Sequence, residues 1–188
     1  MILKLMMNLS DDSCNRMHFI NFFLVVLLTS CSMTYPPLET VSSVDVNRYA
    51  GKWYEIASFP QRFQKGCRCT TAEYGVSDKG YLTVNNQCRK GDGKISGIKG
   101  KAFVVNGSNN AKLKVQFFWP LKGDYWIIDL AEDYSYAVVG TENRKYCWIL
   151  CRTPKMEPTV LNEILTGLRK KGFDTTLLAY TDQDCDSN

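Results

Sequence analysis

Apolar and polar residues alternate in short runs from residue 53 to residue 152, with turn residues between the runs. The period of two is clearest over 112–118, where Leu113, Val115 and Phe117 alternate with Lys112, Lys114 and Gln116. Similar runs cover 53–59, 68–77, 81–89, 98–105, 124–130, 134–140 and 145–152. Ser77-Asp78-Lys79-Gly80, Lys90–Lys94 with its two glycines, and Asn106–Asn110 supply the turns between them. Eight strands at this spacing, joined by short links, predict an antiparallel meander. Eight is also the strand number that closes a barrel just wide enough for one small ligand.

The period changes to 3.6 after Pro158. Val160, Leu161, Ile164, Leu165 and Leu168 form one apolar stripe, with Pro158 at the start and Lys170, Lys171 and Gly172 at the end. A short strand is expected over 177–181. A single helix after eight strands makes no layer of an α/β sheet, so it is expected to pack outside the barrel. The fold class is thus all-β: an eight-stranded up-and-down barrel with one C-terminal helix.

Composition narrows the function. The 188 residues suffice for one domain with a sizeable core. With 23 basic and 19 acidic residues and no dense basic run, the chain is not built for nucleic acid. The one histidine, His18, lies in a segment expected to be removed, which takes imidazole-based catalysis and His-ligated zinc or haem out of the mature protein. No cofactor is expected.

That segment is the run Phe19–Leu28, too short to span a bilayer and matching the hydrophobic core of a signal peptide. It ends in Leu28-Thr29-Ser30-Cys31, which resembles a bacterial lipobox. Cleavage there leaves Cys31 as the first residue, carrying a diacylglyceryl group. Each buried acyl methylene then adds about 0.8 kcal/mol of anchoring. Ser32 in the next position implies the outer membrane. Asp11 and Asp12 are unusual so near the start of a signal, and Met17 is an alternative start. Residues 1–30 are read as signal, 31–45 as lipidated terminus and tether, and 46–188 as the folded domain.

Six cysteines remain. Cys147 and Cys151 stand four apart on one strand, about 13 Å between Cα atoms, so they do not pair with each other; Cys67 and Cys69, about 6.6 Å apart, are poor partners too. Pairing Val76 with Tyr81 across the hairpin sets Cys69 opposite Cys88. Cys185, near the C-terminus, is within reach of another strand. Metal binding by Cys67-Arg68-Cys69 is a rival reading that lacks further ligands. Cys147 and Cys151 also suit the role of small buried apolar residues.

Gly51-Lys52-Trp53 heads the first strand: the Gly allows a tight entry and the indole is large enough to plug a barrel. This stretch (GKWYEIASFP, 51–60), FQKGC at 63–67, GKAFVVNGS at 100–108, LKVQFFWP at 113–120, DYSYAVVG at 133–140, WILCRTP at 148–154 and GFDTTLLAY at 172–180 resemble, in this order, the lipocalins, in particular the outer-membrane lipoproteins of bacteria and their apolipoprotein D-like relatives.

The resemblance implies a calyx with one open and one plugged end. It implies that Arg152 packs over Trp53, a contact of about 0.5–2 kcal/mol. It points to Cys67 with Cys88 rather than Cys69, which a bulge near Gly66 would reconcile with the register. It also implies a protein anchored on the periplasmic side of the outer membrane that stores or carries fatty acids such as palmitate, or lysophospholipids, with a homodimer compatible.

Alternation places Phe117, Trp126 and Trp148 in the lumen. On the strand 124–130, Asp129 is taken to face water, which puts Tyr125 and Ile127 outside and Trp126, Ile128 and Leu130 inside. Plain core packing accounts for each of these positions equally well. A second reading is an enzyme using Cys67 beside Lys65 and Arg68, with Glu55 as a lone buried acid. A third is an envelope protein whose barrel is filled by its own side chains.

Overall fold

The computed structural model describes residues 35–185. The expected signal segment, Met17 and Cys31 lie outside the described residues. Eight strands run in an antiparallel meander: β1 (Gly51–Ser58), β2 (Cys67–Val76), β3 (Leu82–Lys90), β4 (Ile95–Val104), β5 (Lys112–Gln116), β6 (Gly123–Leu130), β7 (Tyr136–Gly140) and β8 (Cys147–Cys151). Each pairs with the next, and β1 pairs with both β2 and β8, so the sheet closes on itself. A short β9 (Ala179–Tyr180) pairs with Ala57 and Ser58 of β1 from outside.

Two apolar clusters divide along the strands as the period of two requires. Inside the barrel lie Trp53, Tyr74, Leu82, Val84, Leu113, Tyr125, Ile127 and Leu150. On its outer face, Ile56, Trp126, Ile128, Val138, Cys147 and Ile149 pack under a helix (Pro158–Lys170), whose Ile164 and Leu168 are buried. The apolar stripe thus docks the helix outside the barrel. A second, four-residue helix (Val46–Tyr49) precedes β1, capped by Asp45, whose carboxylate accepts from the amides of Asn47 and Arg48.

The lumen assignment for β6 is corrected. Trp126 and Ile128 face outward to the helix, and Tyr125 and Ile127 face inward. A bulge between Ile127 and Asp129 adds one residue to β6, so Ile127 pairs with Val139 and Asp129 with Val138. Counting back from a solvent-facing Asp129 without that extra residue puts the preceding residues on the wrong side. Leu130, beyond the bulge, does pack on the inner cluster.

The expected tether is also corrected where it is described. Residues 35–45 form a strap against the barrel, with Leu38 and Val44 buried, the Val41 amide donating to Ile127 O and the Val44 amide to Asn109 O.

Candidate functional site

Gly51 takes φ +95°, a conformation open to Gly, and a Cβ there would stand 3.4 Å from Arg152 Nη1. This turn brings Trp53 into the barrel's closed end with no solvent exposure. The Trp53 Nε1–H donates to Tyr49 O at 2.8 Å. Arg152, leaving β8, lays its guanidinium 3.7 Å from the Trp53 ring centroid. Its Nη1 donates to Lys52 O, and its Nη2 to Arg48 O and Tyr49 O. One side chain thereby ties the short helix, the entry to β1 and the end of β8 into a plug.

Above the plug, three phenols meet. The Tyr74 hydroxyl donates to Tyr125 Oη at 2.9 Å, and the Tyr49 and Tyr125 hydroxyls are 2.7 Å apart. Burial pushes all three well above the ordinary phenol range, and both neighbouring phenols raise Tyr125 further. A proton held more tightly in the folded state means that this stability is intact below about pH 10 and drains away above it, by up to about 1.4 kcal/mol per phenol per pH unit. Tyr125→Phe is therefore expected to flatten the loss. Urea unfolding at pH 9, 10 and 11 reads it; equal slopes for the two proteins would contradict this account.

Over the phenols the barrel holds a cavity of about 710 Å³. Much of its lining is apolar: Ala72, Tyr74, Val84, Val115, Phe117 and Leu150. Tyr125, Trp148 and Tyr146 form a ladder of stacked rings up one side, with centroids 6.4 and 6.0 Å apart. Of the three residues expected in the lumen, Phe117 and Trp148 line the cavity and Trp126 does not. Trp126 instead donates through Nε1 to Asp124 and lies beneath the Lys112 ammonium, 3.7 Å from its centroid.

Polar side chains line the cavity as well. Glu55 is 6% exposed, and its carboxylate accepts from Ser58 Oγ, Gln64 Nε2 and Thr181 Oγ1. Three buried side-chain atoms of residues lining the cavity, Gln61 Nε2, Gln64 Oε1 and Asn86 Oδ1, have no hydrogen-bond partner in the protein. Such atoms cost free energy unless a bound molecule meets them. Alternation marks Glu55 as lumenal, but Gln61 and Gln64 sit in a loop and carry no period to reveal them.

Disulfides tie β2 to β3 and to the C-terminal tail. Cys67 bonds to Cys88 (Cα–Cα 5.4 Å) and Cys69 to Cys185 (Cα–Cα 6.2 Å). Cys88 faces a bulge made by Cys69 and Thr70, between the pairs Arg68–Arg89 and Thr71–Gln87, yet bonds to Cys67; the bulge falls at the left-handed Cys69 (φ 51°) rather than near Gly66. The hairpin itself pairs Val76 with Leu82, one residue from the assumed register. Cys67 is thus no free thiol for catalysis. Cys147 and Cys151 are free and buried, and burial pushes the Cys147 thiol up to about 12.

Residues 44–183 match the family model of the lipocalin-like domain. The outer membrane lipoprotein Blc of Vibrio cholerae is 40% identical over 162 residues, which cover 84% of this chain and 94% of that protein. Temperature-induced lipocalin-1 of Arabidopsis thaliana is 38% identical, covering 78% and 83%. Apolipoprotein D of Macaca fascicularis is 35% identical, covering 80% and 82%. Insecticyanin of Manduca sexta shares the fold, with a TM-score of 0.65 at 20% identity over 79% of this chain and 86% of its own. With a closed barrel, an indole plug and a family match over most of its length, the chain belongs to the lipocalin-like domain family.

Proposed function

We propose that the chain is a lipid-binding lipoprotein of the outer membrane that holds a fatty acid or lysophospholipid with its acyl chain in the cavity and its head at the polar mouth. The observation that carries this is the cavity itself, lined mainly by apolar side chains with a few polar groups among them, and within the range of about 300–1,000 Å³ usual for small-ligand sites. Each methylene buried contributes about 0.8 kcal/mol before ordering costs, so a long acyl chain reaches micromolar affinity. Gln61, Gln64 and Asn86 offer a donor and two acceptors to the head, and Lys122 stands at the rim for a carboxylate or phosphate. The relatives named outer membrane lipoprotein support the location, with Cys31 as the acylated residue and the periplasmic side as its setting.

Titration with palmitate and with lysophosphatidylethanolamine, read by tryptophan emission, tests the reading. Saturable change with one ligand per chain is expected. Trp148→Ala is expected to weaken binding by about tenfold or more, from lost area and stacking. Trp126→Phe, on the outer face, is expected to leave affinity unchanged. No saturable binding of either lipid would overturn the reading.

A further inference from the structure

Among the described residues, the four most exposed large apolar side chains are Trp119 (87%), Leu121 (72%), Ile95 (71%) and Phe118 (67%). Ile95 opens β4 and the other three form the β5–β6 loop, so all four stand at the open end of the barrel. Phe118 and Leu121 also line the cavity mouth. A cluster of this kind around a ligand opening is a surface awaiting a partner.

Charge follows the same axis. The four loops at the open end carry Arg62, Lys65, Lys94, Lys122, Arg144 and Lys145 against Asp92 and Glu142. The segments at the closed end carry four basic residues against five acidic ones. The mouth is therefore the cationic pole of the barrel.

The strap begins at this pole as well. Arg144, on the β7–β8 loop, donates from Nη2 to Pro36 O at 2.7 Å and lies 5.1 Å from the Tyr35 ring centroid. From there the strap descends to Asn109 at the closed end. Cys31 precedes Tyr35 by four residues, and four residues reach at most about 14 Å.

We infer that the open rim is a membrane-docking face, whose occupant is a bilayer surface bearing anionic phospholipid headgroups. Phe118, Trp119 and Leu121 enter the interface, where tryptophan and apolar side chains gain most, while Lys94, Lys122 and Lys145 meet phosphates. The inference rests on the lipid-binding lipoprotein reading for its anchor: acyl chains on Cys31 hold the mouth, not the plug, against the membrane. Ligand then passes between bilayer and cavity without crossing water.

The test uses the full chain as matured in a bacterial envelope, reconstituted in vesicles of phosphatidylethanolamine and phosphatidylglycerol. Trp119 emission is taken as the difference between wild type and Trp119→Phe, an exposed site where thermal melting checks that the fold is kept. Lipids brominated on their acyl chains are expected to quench more than half of that emission, and aqueous iodide little of it. Replacing Lys94, Lys122 and Lys145 by Gln is expected to lower the docked-to-undocked ratio about fivefold per charge.

Quenching by iodide and not by bromine overturns the proposal, because the rim then faces water. Shielding from both also overturns it, because a second copy then covers the rim. The mass of the N-terminal peptide reports the anchor separately. An acylated protein with a water-facing Trp119 overturns docking alone; an unmodified Cys31 removes the anchor while Trp119 quenching still decides the rim. Titration with lysophosphatidylethanolamine in detergent reports the cavity independently of either.

Discussion

Replacing Cys69 and Cys185 together by Ala is expected to lower stability by about 5 kcal/mol. The bond closes a chain separation of 116 residues, and the loop entropy of the unfolded chain rises with the logarithm of that length. The same change at Cys67 and Cys88, with a separation of 21, is expected to cost about 3 kcal/mol. The longer link holds more than itself. It keeps the C-terminal tail across β1 and β2, where the Cys69 amide donates to Asp182 O and Gln183 Nε2 donates to both Glu55 O and Thr70 O. It also keeps Thr181 on the Glu55 carboxylate in the cavity wall. Urea unfolding of the oxidised variants measures the order; a smaller loss for Cys69 and Cys185 than for Cys67 and Cys88 would contradict it.

Trp53→Ala is the second large effect, expected to cost about 3–5 kcal/mol, the range for removing a fully buried aromatic side chain. Its consequence is specific, because Trp53 is the surface on which Arg152 lies. Arg152→Lys keeps the charge but loses the planar fork that reaches the carbonyls of Lys52, Arg48 and Tyr49. That exchange is expected to cost about 1–3 kcal/mol. The two changes touch one another, so the double variant should lose less than the two single losses added. Strict additivity in a thermal or urea unfolding cycle would show that the guanidinium and the indole are independent.

The barrel was legible in the residues because closed meanders rest on alternation and turns, both local. The span 112–118 reads as a strand and is one over Lys112–Gln116; the apolar stripe after Pro158 is the helix Pro158–Lys170. Ile95–Gly97 was hidden because its Ser and Gly resemble the preceding turn, and only pairing with Gln87, Cys88 and Arg89 of β3 makes it strand. The strand expected over 177–181 is a 3-10 turn at Thr175–Leu177 followed by Ala179–Tyr180.

The site was legible by halves. Trp148 sits on the unbroken β8 and Phe117 directly follows the unbroken β5, so the parity of each counts true. Trp126 and the Cys69–Cys88 opposition each lie next to a bulge, where one extra residue inverts parity and nothing in the composition announces it. The meeting of Tyr49, Tyr74 and Tyr125 joins three distant segments and has no signature along the chain.

The central claim is that the cavity takes one lipid. Native mass spectrometry of the protein extracted from envelopes, with no lipid added, tests it most directly. The account predicts a species heavier than the bare chain by one fatty acid or one lysophospholipid, released on denaturation, and reduced in abundance by Trp148→Ala. A wild-type protein that carries no lipid from the envelope, and gains none when palmitate or lysophosphatidylethanolamine is supplied, would contradict it.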